Sequence, residues 1–148
     1  MNWRGIFAAI LNAFSRQPPA PPAPPQPPEP IRPTPGEPLT DRWDLELFQL
    51  HNAYRSRLGL LPLRHDRELD ELANRHSVRM MDAGALFHSA NGLRENVAGW
   101  SASPDETFGQ WIHSSGHRAN IINSTITRCG FGVAADSRGR HYWTAIFA

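Results

Sequence analysis

Proline is the feature that most limits where this chain can fold. Twelve of the 14 prolines fall within residues 18–38, the stretch PPAPPAPPQPPEPIRPTPGEP. Proline fixes φ and lacks a backbone N–H, so this stretch favours extended polyproline II over helix or sheet. At about 3.1 Å per residue it would extend roughly 65 Å. We therefore predict a proline-rich linker at residues 18–39 and a folded domain at residues 40–148. The linker is a passive spacer or, alternatively, a docking site for a proline-recognising partner.

Residues 1–17 form a short apolar segment ahead of the linker. Ten mostly apolar residues at 5–14 lie between Arg4 and Arg16. A helix that spans a bilayer needs about 20 apolar residues, so we predict that this segment does not span one. Three interpretations remain open: a secretory signal, an interfacial helix in peripheral membrane contact through residues 3–14, or a tail without a role of its own. We expect the protein to be secreted or envelope-associated.

Charge and cysteine content exclude several functions. Residues 40–148 carry 12 Arg, no Lys and 12 acidic residues. A net charge of zero gives no field to hold a polyanion, so we expect no nucleic-acid partner. The single cysteine, Cys129, excludes an intramolecular disulfide and a cysteine-rich zinc module. We predict that this cysteine is buried and inert.

Apolar periodicity predicts three helices. The first begins near Thr40 and ends before Gly59, with an apolar stripe. The second lies between Asp66, a candidate N-cap, and Gly84. The third begins at Ser103, because residues 103–106 (S-P-D-E) combine an N-cap, a proline at N1 and a glutamate at N3. The stripe of the first helix comprises Trp43, Leu47, Leu50, Tyr54 and Leu58.

The end of the chain changes to strand periodicity. Residues 129–135 and 141–147 are predicted strands of an antiparallel hairpin, joined by a turn at 136–139. A shorter strand is predicted at residues 95–99. Helices around these strands predict an α+β fold, an α-β-α sandwich with a small central antiparallel sheet flanked by helices.

Three residues stand out as candidates for chemistry. His88, Glu95 and His117 each lie at a junction between predicted elements, where loops gather side chains into a cleft. Two imidazoles and a carboxylate are suitable ligands for a divalent cation such as zinc, or can orient a water molecule. Their spacing matches no compact metal signature. Ser114 invites a Ser–His interpretation, but no nucleophile-elbow pattern surrounds it.

The other histidines of the domain are predicted to be structural or exposed. His51 and His76 accompany the apolar stripes of the first two helices, which favours a core position. His65 and His113 have no local partner and are predicted at the surface. His141 lies on a strand of the hairpin, and the sequence leaves open which face of the sheet its side chain points to.

Five motifs together resemble those of the CAP superfamily, also called SCP-like. They are H-N-A-Y-R at 51–55, F-H-S at 87–89, E-N-V-A at 95–98, W-I-H-S-S-G-H-R-A-N-I at 111–121 and Y-W-T-A-I-F at 142–147. They occur in the order seen in that superfamily, which includes cysteine-rich secretory proteins, antigen 5 and plant pathogenesis-related proteins. The chain most resembles the short bacterial branch. The resemblance implies an α-β-α sandwich over residues 43–148.

The resemblance also implies a central cleft with two histidines and two acidic residues. His88 matches the first histidine, Glu95 the first glutamate and His117 the second histidine. Ser114 stands at the position of the second glutamate, and Arg94 replaces the usual glycine. Because one carboxylate is absent and Arg94 adds a positive charge next to Glu95, we expect weakened divalent-metal affinity.

Three functional hypotheses follow. The first is an extracytoplasmic binding or interaction module whose cleft takes a small molecule, a lipid, a weakly bound metal or an envelope protein, without catalysis. The second is a hydrolase in which His88 and His117 hold a divalent ion and Glu95 acts as the base. The third is a phage or envelope structural component anchored through residues 3–14.

Overall fold

The buried face of the first helix is apolar at its start and polar towards its end. A computed structural model describes residues 40–148 of the chain, and helix α1 spans Thr40–Arg57. Trp43 and Leu47 are buried in the core, as predicted. One and two turns further, the buried positions are His51 and Arg55.

The predicted stripe was wrong only at its end. Leu50 and Tyr54 are half-buried and pack against the core, whereas Leu58 is 52% exposed. Apolar periodicity does not detect polar core residues such as His51, whose Nδ1 donates to the carbonyl oxygen of Leu47, or Arg55, which donates to three backbone carbonyl oxygens.

Helix α2 has the predicted ends. It spans Arg67–Ala83, and the Asp66 side chain accepts hydrogen bonds from the backbone N–H groups of Glu68 and Leu69. Gly84 terminates the helix with φ of 63°, a left-handed conformation that glycine adopts without steric cost.

Two short helices follow in tandem. Helix α3 spans Pro104–His113, and the Ser103 hydroxyl accepts a hydrogen bond from the backbone N–H of Glu106, so the predicted start is confirmed. Helix α4, Ser115–Ile121, was not predicted. Its N-cap, Ser114, also ends α3 and makes no side-chain capping bond to α4, so the usual start pattern is absent.

The sheet has four strands in the order β1-β3-β4-β2. The strands are β1 Arg64–His65, β2 Arg94–Gly99, β3 Arg128–Ala135 and β4 His141–Phe147. β2 and β3 both pair antiparallel with β4, which confirms the predicted hairpin and the shorter strand. The unpredicted β1 pairs parallel with β3, so the sheet is mixed rather than purely antiparallel.

Helices cover both faces of this sheet, and the α+β sandwich is confirmed. One face packs on α1 and α3 through a large aromatic core: Trp43, Phe108, Trp111, Phe131, Trp143 and Phe147. On the other face, Leu69 and Ala73 of α2 pack against Ile146. Alternation along β3 and β4 directs successive side chains to the two layers.

Cys129 lies in the larger core and is fully buried. Burial raises the pKa of its thiol to about 12, so the thiol is protonated at neutral pH. The prediction that this cysteine is buried is confirmed.

Two predictions lie outside the described residues: the apolar segment at 1–17 and the proline-rich linker at 18–39. Within residues 40–148, none of the helices combines the length and apolar content needed to cross a membrane.

Candidate functional site

The buried carboxylate of Glu95 is the centre of the candidate site. Glu95 lies on β2, and its side chain is 4% exposed. Oε1 accepts hydrogen bonds from the backbone N–H of Ser89 and from Nδ1 of His88, both at 2.9 Å. Oε2 accepts a hydrogen bond from the Ser89 hydroxyl. Both carboxylate oxygens are therefore occupied by donors from the 88–89 loop.

This pairing orients the imidazole of His88. Because a carboxylate only accepts, Nδ1 of His88 carries the proton and Nε2 is left as the acceptor in the neutral ring. The His88 side chain is 61% exposed, in contrast to the buried partner that holds it. The result is a solvent-accessible imidazole nitrogen with a defined tautomer.

His117 faces His88 from the short helix α4. The centroids of the two rings are 6.5 Å apart, with an interplanar angle of 57°. Partial burial, and to a smaller extent the nearby His88, lowers the pKa of His117. A neutral imidazole beside a second imidazole can accept a hydrogen bond or bind a cation.

Two asparagines fasten α4 to β2 and thereby place His117. Asn96, which is fully buried, donates to the backbone carbonyl oxygen of His117 at 3.1 Å. Asn120 donates to Oδ1 of Asn96 at 2.8 Å and to the backbone carbonyl oxygen of Glu95 at 3.2 Å.

A family model independently matches most of this domain. The model of the CAP family, described as the cysteine-rich secretory protein family, matches residues 48–147. The chain belongs to the CAP family.

Similar proteins include bacterial ones. YkwD of Bacillus subtilis is 29% identical over 122 residues, covering 71% of this chain and 46% of YkwD. An extracellular protein of Bacillus anthracis that contains an SCP domain is 25% identical with a TM-score of 0.61, covering 73% of this chain and 41% of that one. The chain thus spans less than half the length of these two relatives.

An outer surface protein of Borrelia burgdorferi shares the fold alone. Its TM-score is 0.64 at 17% identity, with 70% of this chain and 89% of that chain covered.

The CAP domain brings three of the five predicted cleft residues together. His88, Glu95 and His117 form one cluster, as the geometry above describes. Ser114 lies at the bend between α3 and α4, three positions before His117, and is half-buried. Arg94 departs from the prediction: it is exposed, and in the described residues it forms no ion pair with Glu95. Adjacent strand residues point to opposite faces, which separates the two charges.

The donor set of this CAP domain does not suit a tightly held metal ion. Within residues 40–148, no group of three or more His, Cys, Asp or Glu side chains is placed to hold one. Glu95 already accepts three hydrogen bonds, and Nδ1 of His88 is engaged. One nitrogen of His88 and one of His117 remain to bind a metal ion, which makes two ligands. Catalytic zinc sites use three protein ligands.

Some residues of the cluster were missed by sequence reasoning. Ser89, Asn96 and Asn120 all lie inside the quoted motifs, but none of them is titratable or a nucleophile that a sequence pattern marks. Their role depends on hydrogen bonds between segments distant in sequence. The F-H-S, E-N and A-N-I motifs themselves were the available signal.

His76 is a core histidine, as predicted, but it also borders the cluster. It is 3% exposed, and its Nε2 donates to the backbone carbonyl oxygen of Phe87 at 2.7 Å. The same nitrogen lies 3.7 Å from Oε1 of Glu95.

The remaining histidines have structural roles. His51 is fully buried, whereas the exposed His113 donates to the carbonyl oxygen of Gly109. His65 is exposed and contacts Asp70 at 2.9 Å. His141 is half-buried beside Trp43.

The H-N-A-Y-R motif is structural in this CAP domain. Nδ1 of His51 donates to the carbonyl oxygen of Leu47 at 2.7 Å. Asn52 exchanges two hydrogen bonds with the backbone of Leu63. Arg55 binds backbone carbonyl oxygens at the end of α4. The motif therefore joins α1 to its neighbours rather than forming the cluster.

Proposed function

We propose that this protein is an extracytoplasmic binding module in which the imidazoles of His88 and His117 recognise a small polar ligand or weakly hold a divalent cation. Catalysis is not part of this proposal. The observation that carries it is the contrast between a buried Glu95 that accepts three hydrogen bonds and an exposed imidazole that Glu95 orients.

The engagement of Glu95 argues for recognition. A general base must reach the proton it abstracts, within hydrogen-bond distance or through one water molecule. Glu95 is instead covered by the 88–89 loop and uses both oxygens there. Its role in this proposal is to fix the tautomer and direction of His88, as carboxylates do for functional histidines elsewhere.

The location is part of the proposal. Two of the similar proteins are described as an extracellular protein and an outer surface protein. An apolar segment followed by a proline-rich spacer suits a domain held away from a membrane or exported across one.

A metal-dependent hydrolase is the alternative, and the His88–Glu95 pair favours it over other enzymes. A carboxylate that hydrogen-bonds the second ring nitrogen of a histidine also orients the histidine ligands of catalytic zinc. In that case His88 and His117 would hold the ion, and Glu95 would orient His88. The hydrolase would need a third metal ligand from the substrate or from outside residues 40–148.

Zinc titration of the full chain by calorimetry separates the two functions. We expect weak binding, with Kd in the high micromolar to millimolar range, that is lost in His88→Ala and in His117→Ala. His113→Ala is the matched control, because His113 is an exposed histidine on α3 with no contact to the cluster among those described. We expect no hydrolysis of casein at the highest zinc concentration.

Two results would contradict the proposal. Tight zinc binding that His88→Ala abolishes, combined with casein cleavage, would establish the hydrolase. Loss of zinc binding in His113→Ala to the same degree as in His88→Ala would show that the cluster is not the site.

A further inference from the structure

A groove lies beside the histidine cluster, between α2 and the loop at residues 89–91. Its volume is about 340 Å³, which falls in the range of small-ligand sites. The lining residues used below are Leu72, Arg75, His76, Arg79, Ser89 and Asn91.

Two arginines, Arg75 and Arg79, give the groove positive charge. Arg75 and Arg79 are one helical turn apart, so they lie on the same face of α2. Arg75 lies 3.9 Å from Glu71, and both side chains are 64% exposed. An ion pair this exposed contributes little to stability and holds Arg75 only weakly. Arg79 forms no ion pair with any described residue. No Asp or Glu is among the described residues that line the groove.

Asn91 adds hydrogen-bond donors to the groove. Oδ1 of Asn91 accepts from the backbone N–H of Leu93 at 2.8 Å, which leaves the amide N–H groups of Asn91 as donors. Nδ1 of His76 has almost no exposed surface, so it lies behind the wall of the groove.

We propose that this groove is a binding site for a phosphate group, with Arg75 and Arg79 as its cationic ligands. Guanidinium groups bind phosphate oxygens in pairs with defined geometry, which is why arginine recurs at phosphate sites. Leu72 supplies an apolar wall for the remainder of the ligand. The site is distinct from the His88–His117 pair and does not depend on the function proposed for it.

The first test uses the full chain and inorganic phosphate, with sodium chloride at equal ionic strength as the reference. We expect the backbone amide resonances of residues 89–91 to shift saturably. Arg75→Gln/Arg79→Gln should weaken binding by about tenfold or more. Arg57→Gln/Arg138→Gln is the matched control, because it removes two exposed arginines outside the groove, and we expect it to leave binding unchanged.

A second arm distinguishes a free phosphorylated molecule from a lipid head group. Glycerol 3-phosphate and vesicles of phosphatidylglycerol are compared, with phosphatidylcholine vesicles as the reference. Binding of either ligand that the Arg75→Gln/Arg79→Gln variant weakens supports the site. Whichever of glycerol 3-phosphate and phosphatidylglycerol vesicles binds the wild type more strongly identifies the source of the phosphate.

Three results would overturn the proposal. The first is absence of saturable binding in both arms. The second is an equal loss of phosphate binding in Arg75→Gln/Arg79→Gln and in Arg57→Gln/Arg138→Gln, which would show that binding depends only on net charge. The third is loss of phosphate binding in His117→Ala, which would move the anion to the histidine pair.

Discussion

The side-chain amide of Asn96 donates a hydrogen bond of 3.1 Å to the backbone carbonyl oxygen of His117. Asn96 is next to Glu95 on β2, so one strand holds both the carboxylate that orients His88 and the amide that places His117. Strand β2 therefore fixes the distance between the imidazoles of His88 and His117, although neither histidine lies on it. Asn120 completes the link by donating to Asn96.

We predict that Asn96→Ala loosens α4 and destabilises the domain by about 2 kcal/mol, because the backbone carbonyl oxygen of His117 loses a donor and Asn120 loses one of its two acceptors. Urea denaturation gives the change in the free energy of unfolding, and amide hydrogen exchange reports on α4. Gln110→Ala, at an exposed position on α3, is the control and should change neither. Unchanged exchange in α4 of Asn96→Ala would contradict this role.

Arg55 is expected to be a structural requirement. It is fully buried and donates to the carbonyl oxygens of Leu61, Ile121 and Asn123 at 2.7 to 2.9 Å. Arg55→Lys keeps the charge but cannot reproduce the planar set of donors, so we predict a loss of about 2 to 3 kcal/mol in unfolding free energy. Arg57→Lys, exposed at the end of α1, should change it by less than about 0.5 kcal/mol. Equal stabilities would show that charge alone matters.

Local patterns predicted most of the fold because they act within one segment. The caps of α2 and α3 and the alternation along β3 and β4 are complete within a few residues. By contrast, β1 has two residues and exists through its pairing with β3, more than sixty positions away. A strand of this kind has no pattern of its own to detect.

The resemblance named His88, Glu95 and His117 as candidate residues but not how they contact one another. In the structure His88 hydrogen-bonds Glu95, and the centroid of its ring lies 6.5 Å from that of His117. That Glu95 is covered by Ser89 could not be predicted, because it depends on how the 88–89 loop closes over β2. The direction of Arg94 follows from strand alternation, because neighbouring residues of β2 point to opposite faces of the sheet.

Two glycines of β3 are expected to determine how closely α2 packs on the sheet. A Cβ at Gly130 would lie 2.3 Å from the backbone nitrogen of Asp70, and one at Gly132 would lie 2.3 Å from that of Asn74. Because these neighbours are helix backbone, they cannot move aside cheaply. We predict that Gly132→Ala destabilises the domain by about 3 kcal/mol or more, measured by urea denaturation.

Gly109 provides the matched control for this prediction. It lies within α3, and a Cβ there meets nothing within 4 Å. Gly109→Ala should therefore stabilise the domain by roughly 0.5 to 1 kcal/mol, since alanine favours helix. A Gly132→Ala variant as stable as the wild type would show that α2 can move away from β3.

Acid sensitivity is expected to arise from His51. Burial lowers the pKa of this imidazole from 6.5 to about 4, within a cage formed by Phe108, Trp111, Phe131 and Phe147. The unfolded chain takes up this proton near pH 6.5, while the folded state resists it until about pH 4. Between these values the unfolded state binds more protons, so stability falls as the pH falls.

We predict that His51 accounts for roughly 2 to 3 kcal/mol of lost unfolding free energy between pH 7 and pH 4.5. Urea denaturation of wild type and His51→Phe across this range measures it. The variant keeps the smaller dependence that arises from His117 and His141, whose pKa values burial also lowers. If the two proteins lost stability in parallel, the proton uptake would belong to other groups. A steeper loss in wild type between pH 6.5 and pH 4.5 is the outcome that assigns it to His51.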